Sequence, residues 1–166
     1  MTKEEFKQFR GAIGKLNWQQ ESKRPDLSYN KLSISMKNKS AMISDLKKMN
    51  KIIRKTKKEA EESRIHYKRI NNFKNQMIHG YDDASFMTQD NKVSSVEGRM
   101  LFLTNGDKAS KILWKSKKIA RVSDSSKTIE TLAMDKTCDE AIHMARMIRE
   151  IYTGKRSMKG NSSLPF

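Results

Sequence analysis

The stretch Gly98-Arg99-Met100-Leu101-Phe102-Leu103-Thr104, Asn105-Gly106-Asp107-Lys108, Ser110-Lys111-Ile112-Leu113-Trp114-Lys115 decides the fold class. Two short apolar runs flank an Asn-Gly pair, the strongest short hairpin signal, because both residues tolerate the positive φ that a tight turn demands. The runs are therefore expected to pair as antiparallel strands. Upstream, Met77-Ile78-His79-Gly80-Tyr81 reads as a strand returning from a turn at Asn71-Asn72. Before that turn, Ile65, Tyr67 and Arg69 alternate with His66, Lys68 and Ile70 as a further strand candidate. Downstream, a long helix is expected from about Ser126 to Tyr152 and is stopped by Gly154. Its core stripe is Ile129, Leu132, Ala133, Ala141, Ile142, Ala145, Ile148 and Ile151.

Before the acidic run Glu59-Ala60-Glu61-Glu62 the apolar period is helical. Phe6, Phe9, Ile13 and Leu16 mark a first helix, with Glu4 and Glu5 at the end where the helix dipole favours acid. Pro25 disfavours helix in the residue before it and suits the first turn of a new one, followed by Leu27, Leu32, Ile34 and Met36. A third helix follows Ser40, with Met42, Ile43, Leu46, Met49, Ile52 and Ile53 on one side. The expected class is α+β: N-terminal helices, an antiparallel three-stranded meander and a long helix. Three segments are expected, a helical unit at 1–60, a sheet-and-helix unit at 61–154 and a flexible tail at 155–166.

The chain has 166 residues and a formal charge of +16. No apolar run approaches the roughly 18 residues of a membrane span, and Met1 to Arg10 lacks the apolar core of a secretory signal. A soluble protein of the cytoplasm or nucleus is expected. Cys138 is the single cysteine, which suits a reducing compartment. Leu, Ile, Val and Phe fill 32 positions, close to the share of about a fifth below which high charge accompanies disorder. Eleven methionines add apolar volume but specify a core loosely, so a marginal fold is expected.

The charge is concentrated. From Lys37 to Lys58 nine basic residues face one acid, Asp45. Lys47, Lys48, Lys51, Arg54 and Lys55 form either a solvated helix face or a row of contacts to nucleic-acid phosphates, the contacts that supply most sequence-independent affinity.

Carboxylates are the other candidate chemistry. In Gly80-Tyr81-Asp82-Asp83-Ala84-Ser85-Phe86, strand alternation places Asp83 with Tyr81 and Ser85, and Asp82 with Ala84 and Phe86. Asp83 is either a strand-end acid facing water or an oxygen ligand. Glu130 lies in the first turns of the long helix, where the dipole alone accounts for an acid. Facing each other, the two could supply oxygen ligands to magnesium. Cys138 and His143, five apart on a helix, do not share a face, and His66 and His79 read as isolated structural histidines on strands. Tyr81-Asp82-Asp83 lacks the intervening residue of a polymerase Tyr-x-Asp-Asp turn. The chain has no Gly-rich phosphate loop.

Five ordered blocks carry a family resemblance. Phe9 to Trp18 followed by Arg24-Pro25-Asp26-Leu27-Ser28-Tyr29 resembles the segment after the palm of copia-type LTR retrotransposon polyproteins, where Gly-x-Leu-x-Tyr/Trp-Leu precedes Arg-Pro-Asp. Gly80 to Phe86 is similar to the family's Gly-Tyr-x-Asp-Ala-Asp-Trp, and Ser94-Ser95-Val96-Glu97-Gly98 to its Ser-Thr-Ser-Gly. Ile112-Leu113-Trp114-Lys115-Ser116-Lys117-Lys118 is similar to Ile-x-Trp-x-Ser-Lys-Lys, and Ser125 to Ala133 to Ser-Ser-Thr-Glu-Ala-Glu-Tyr-x-Ala. The matches run from Phe9 to about Tyr152.

The resemblance implies the thumb or connection helices of a reverse transcriptase leading into part of a ribonuclease H-like domain. That domain cuts the RNA of an RNA–DNA hybrid with two magnesium ions, which activate water and stabilise the leaving oxygen. Asp83 matches the first-strand catalytic aspartate and Glu130 the helix glutamate, both metal ligands in the family. Thr128 replaces one Glu of the helix motif, and the chain ends at Phe166, where the strand carrying the next aspartate should begin. The expectation is a polyprotein fragment, catalytically incomplete but able to bind nucleic acid and to associate with a complete polyprotein chain. Two alternatives stand beside it: a ribonuclease H completed by another chain, and a domesticated basic binding module.

Overall fold

The computed structural model describes residues 1–63, 65–70, 75–86, 95–121, 123 and 125–154. The expected turn at Asn71-Asn72 and the expected tail at 155–166 lie outside them. The class is α+β, with helices α1 (Lys3–Ser22), α2 (Ser28–Ser35), α3 (Ile43–Lys58) and α4 (Ser126–Thr153), and strands β1 (Met77–Ser85), β2 (Val96–Thr104) and β3 (Ala109–Lys118). The sheet is antiparallel in the order β1-β2-β3. Among the described residues no helix is long and apolar enough to cross a membrane.

Local signals place the helix ends. Thr2 and Glu5 cap α1 reciprocally, the Thr2 hydroxyl accepting from the Glu5 amide at 3.2 Å and Glu5 accepting from the Thr2 amide at 2.6 Å. The bonds to Thr2 hold the Glu5 carboxyl below its usual pKa. Pro25 opens a 3₁₀ turn, Pro25–Leu27, that leads into α2. The buried Asp45 accepts from the Met42 amide at 2.9 Å at the start of α3, so Met42 is a cap and is exposed rather than part of the apolar stripe. Gly154 closes α4 with φ +63°.

Phe9, Leu16, Leu27, Ile34 and Met49 form the helical core, which binds α1, α2 and α3 into one layer. Burying each is worth roughly 1.5–3 kcal/mol. This layer lies on one face of the sheet. Trp114 of β3 donates from Nε1 to the Gln20 carbonyl at 2.6 Å, and α2 packs on β3. Helix α4 covers the other face, where Leu101, Ile129 and Ala133 are buried. The boundary expected near residue 60 therefore separates two layers that pack on each other.

Two further expectations need correcting. Residues 65–70 form no strand. They are held by the buried Ser110 hydroxyl, which accepts from the Lys68 amide and donates to the Lys68 carbonyl, both at 3.1 Å. The hairpin forms as expected around the four residues 105–108, where Gly106 takes positive φ and Asn105 caps Lys108 through its side chain. Two positions of the α4 stripe are also bare, Ile142 at 44% exposed although it lies level with β1 and Ile151 at 76% exposed at the far end. Twenty-eight helical residues span about 42 Å, whereas nine strand residues span about 30 Å, so the last turns outrun the sheet.

Candidate nucleic-acid interface

Helix α3 carries the basic candidates, and its packing decides where they point. At 100° per residue, Asp45, Met49, Ile52, Ile53 and Thr56 fall on one side, buried or half-buried against α1 and α2. Lys47, Lys48, Lys51, Arg54 and Lys55 are all exposed and fall within an arc of about 120° on the other side, completed by Lys58. The arc follows from the same period as the core, since every position that does not face α1 is available for charge. Arc neighbours stand one turn apart, inside a screening length of about 8 Å, so their potentials add. Lys55 is 3.9 Å from Glu59, a weak exposed pair one helical turn away. Glu59 is held mainly toward Arg24, at 3.4 Å from its Nη2.

Asp83 and Glu130 are placed differently. A Cβ at Gly80 would lie 2.8 Å from Thr137 Cγ2 of α4, so Gly80 faces that helix. By strand alternation Asp82 shares its face, and Asp83 stands on the opposite one with Tyr81. Helix α4 runs back along β1: Thr137 is level with Gly80, while Ala141, Ile142 and Ala145 lie around Ile78. Glu130, about 10 Å up the helix from Thr137, is therefore level with Asp83, about 10 Å up the strand from Gly80. The two carboxylates are both exposed and reach the same end of the sheet, but on opposite sides of β1. Among the described residues no cluster of three acidic, histidine or cysteine side chains suits a metal ion. On their own these residues do not fit a two-metal centre.

Asp83 instead opens onto a crevice of about 300 Å3 between Pro25 and Ser28 on one side and Tyr81, Met100 and Trp114 on the other. The buried Ser28 hydroxyl has no hydrogen-bond partner there among the described residues. Tyr81 closes edge-on against Phe102 at 5.7 Å.

The buried charges lie where no motif pointed. Glu97, 1% exposed, and Arg99, 7% exposed, project from β2 beneath α4. Arg99 Nη2 is 3.4 Å from Glu97, and Arg99 Nε is 3.0 Å from Glu140 Oε2 as an ion pair not aligned for a hydrogen bond. Lys115 Nζ reaches Glu140 at 2.7 Å and Lys136 Nζ reaches Glu97 at 3.4 Å. The available signal was spacing, because Glu97 and Arg99, two apart in a strand, must share a face. His66 and His79 are exposed rather than structural, and His66 is not on a strand. Cys138 and His143 are also exposed, as separate groups on α4.

Comparison with protein-family models, curated proteins and solved structures gave no match.

Proposed function

We propose that this chain binds nucleic acid through the basic arc of α3 as part of a copia-type retroelement polyprotein, linking reverse transcriptase thumb or connection helices to a ribonuclease H-like unit. The observation that carries the reading is the one-sidedness of α3, six exposed cations opposite a buried apolar stripe. Such a surface tracks phosphates without reading bases, which suits an RNA–DNA hybrid recognised by its backbone. A function on nucleic acid would suit the cytoplasm or nucleus. The separation of Asp83 from Glu130 by β1 supports a chain that does not cleave by itself. Fluorescence anisotropy with a labelled RNA–DNA hybrid tests the binding. Replacing Lys47, Lys48, Lys51, Arg54 and Lys55 by Gln should weaken affinity at least about tenfold near physiological salt, and unchanged affinity would refute the reading.

The exposure of both carboxylates at one end of the sheet favours one second reading, a magnesium-dependent ribonuclease H completed by a complete polyprotein chain. Asp83 and Glu130 would then hold the ions together with the other chain's acids. Hybrid cleavage that needs magnesium and that other chain, and is lost with Asp83→Asn, would establish it.

A further inference from the structure

A cleft of about 1020 Å3 lies between α1 and the C-terminal half of α3, and its walls have the spacing of helix-packing surfaces. On α1 and its C-cap Lys23, Gln8, Gly11, Ala12, Lys15, Gln19 and Lys23 recur mostly three and four residues apart along one side. That row runs for about 22 Å. On the other wall, Ile53, Thr56, Lys57 and Ala60 repeat the same interval. Two such rows facing one trough form the surface into which a third helix sets its ridge. At Gly11 an added Cβ would meet nothing within 4 Å, so the floor is open. Ile53 and Ile65 are half-buried and Tyr67 is 63% exposed, which leaves apolar surface for a ligand.

We propose that this cleft seats an acidic amphipathic helix from a partner protein, apolar side down, with its carboxylates meeting Lys15, Lys23 and Lys57. Charge selects the occupant. These three lysines are exposed, and among the described residues no acidic side chain lines the cleft. The other cation there, Arg24, is buried and already held by Asp26. A second copy of the chain, at +16, is repelled, and residues 155–166 carry Lys155, Arg156 and Lys159 with no acid. The length of the trough matches a helix of about 15 residues, and amphipathic helices dock in grooves of this kind through anchors at i, i+3, i+4 and i+7. The wall residues Ile53 and Thr56 lie on the side of α3 away from the basic arc, so the cleft and the proposed nucleic-acid surface are separate.

The test is a titration of the full chain against a fluorescein-labelled 15-residue peptide helix with Leu at i, i+3, i+4 and i+7 and Glu on its flanks. A Lys-flanked twin and oleate serve as competing probes. Gly11→Leu should weaken the Glu peptide at least tenfold, whereas Gly14→Leu, equally open but outside the cleft, should leave it unchanged. Joint replacement of Lys15, Lys23 and Lys57 by Glu should transfer preference to the Lys peptide. Lys47→Gln with Lys51→Gln should weaken hybrid binding but not peptide binding. Circular dichroism confirms the fold of each variant, and the charge-reversed chain alters only exposed side chains. Loss of preference transfer, indifference to Gly11→Leu, or oleate binding in place of the peptide would overturn the proposal.

Discussion

Arg24, nearly all of it buried, grips Asp26 with a two-pronged bond, Nε to Oδ1 at 2.9 Å and Nη2 to Oδ2 at 2.8 Å. Its Nη1 donates to the Thr56 carbonyl at 3.2 Å, near the end of α3. One guanidinium thus ties the Pro25 turn to the helix that carries the basic arc. Lysine has no fork to reproduce this geometry. Arg24→Lys and Arg24→Met should each lower stability by about 2–3 kcal/mol, discounted from a fully buried pair because Asp26 is half exposed. Urea denaturation followed by circular dichroism measures the loss, and a midpoint within error of the parent would refute the role.

The same pair sets an acid limit. The hydrogen bond from Arg24 holds the Asp26 carboxyl below its ordinary value, against a smaller opposing effect of burial, and Arg24 is correspondingly raised. A carboxylate depressed in the folded state contributes stability above its unfolded pKa of about 3.9 and loses it as pH falls through the lower folded value. Thermal melts from pH 6 to pH 2 should show Asp26→Asn less stable than the parent at pH 6, with the difference shrinking below about pH 4. A constant difference across that range would contradict the assignment.

Gly80 has no room for a side chain. A Cβ there would lie 2.8 Å from Thr137 Cγ2 and 3.2 Å from Leu101 Cδ2. Thr137 cannot turn away freely, because its hydroxyl donates to the Ala133 carbonyl at 2.9 Å. Gly80→Ala should cost about 1–3 kcal/mol by pushing α4 off the sheet. Thr137→Ser removes the clashing methyl and should recover most of that loss, a coupling that a double-mutant cycle reads directly.

Glu97 sits beneath α4 between Arg99 and Lys136. Glu97→Ala leaves Arg99, among the described residues, with Glu140 as its remaining ion-pair partner and opens a cavity, and should destabilise by about 3 kcal/mol. Loss of near-ultraviolet signal from Trp114 ahead of helix melting would place the damage at the sheet, whereas wild-type stability would mean the network is dispensable.

The hairpin and the long helix were legible because Asn105-Gly106, Gly154 and two apolar periods act locally. Residues 65–70 misled because alternation alone was read as a strand, while the backbone there is bonded to the Ser110 side chain instead. The basic arc was nearly complete in the sequence, since helical period fixes which lysines share a side. The separation of Asp83 from Glu130 was not, because it depends on which face of β1 the helix covers. Gly80 decides that through a tertiary contact with Thr137. The charges under α4 were hidden for the same reason, as strand spacing aligns Glu97 with Arg99 but does not say that a helix will bury them.

The most direct measurement is the salt dependence of RNA–DNA hybrid binding for the parent chain and for the variant with Lys47, Lys48, Lys51, Arg54 and Lys55 replaced by Gln. Each phosphate contact adds about 0.9 to the slope of log affinity against log salt on a duplex. Five lost contacts should flatten the parent slope by up to about 4.5 while leaving the fold intact by circular dichroism. Equal slopes for the two proteins would contradict a nucleic-acid surface on α3.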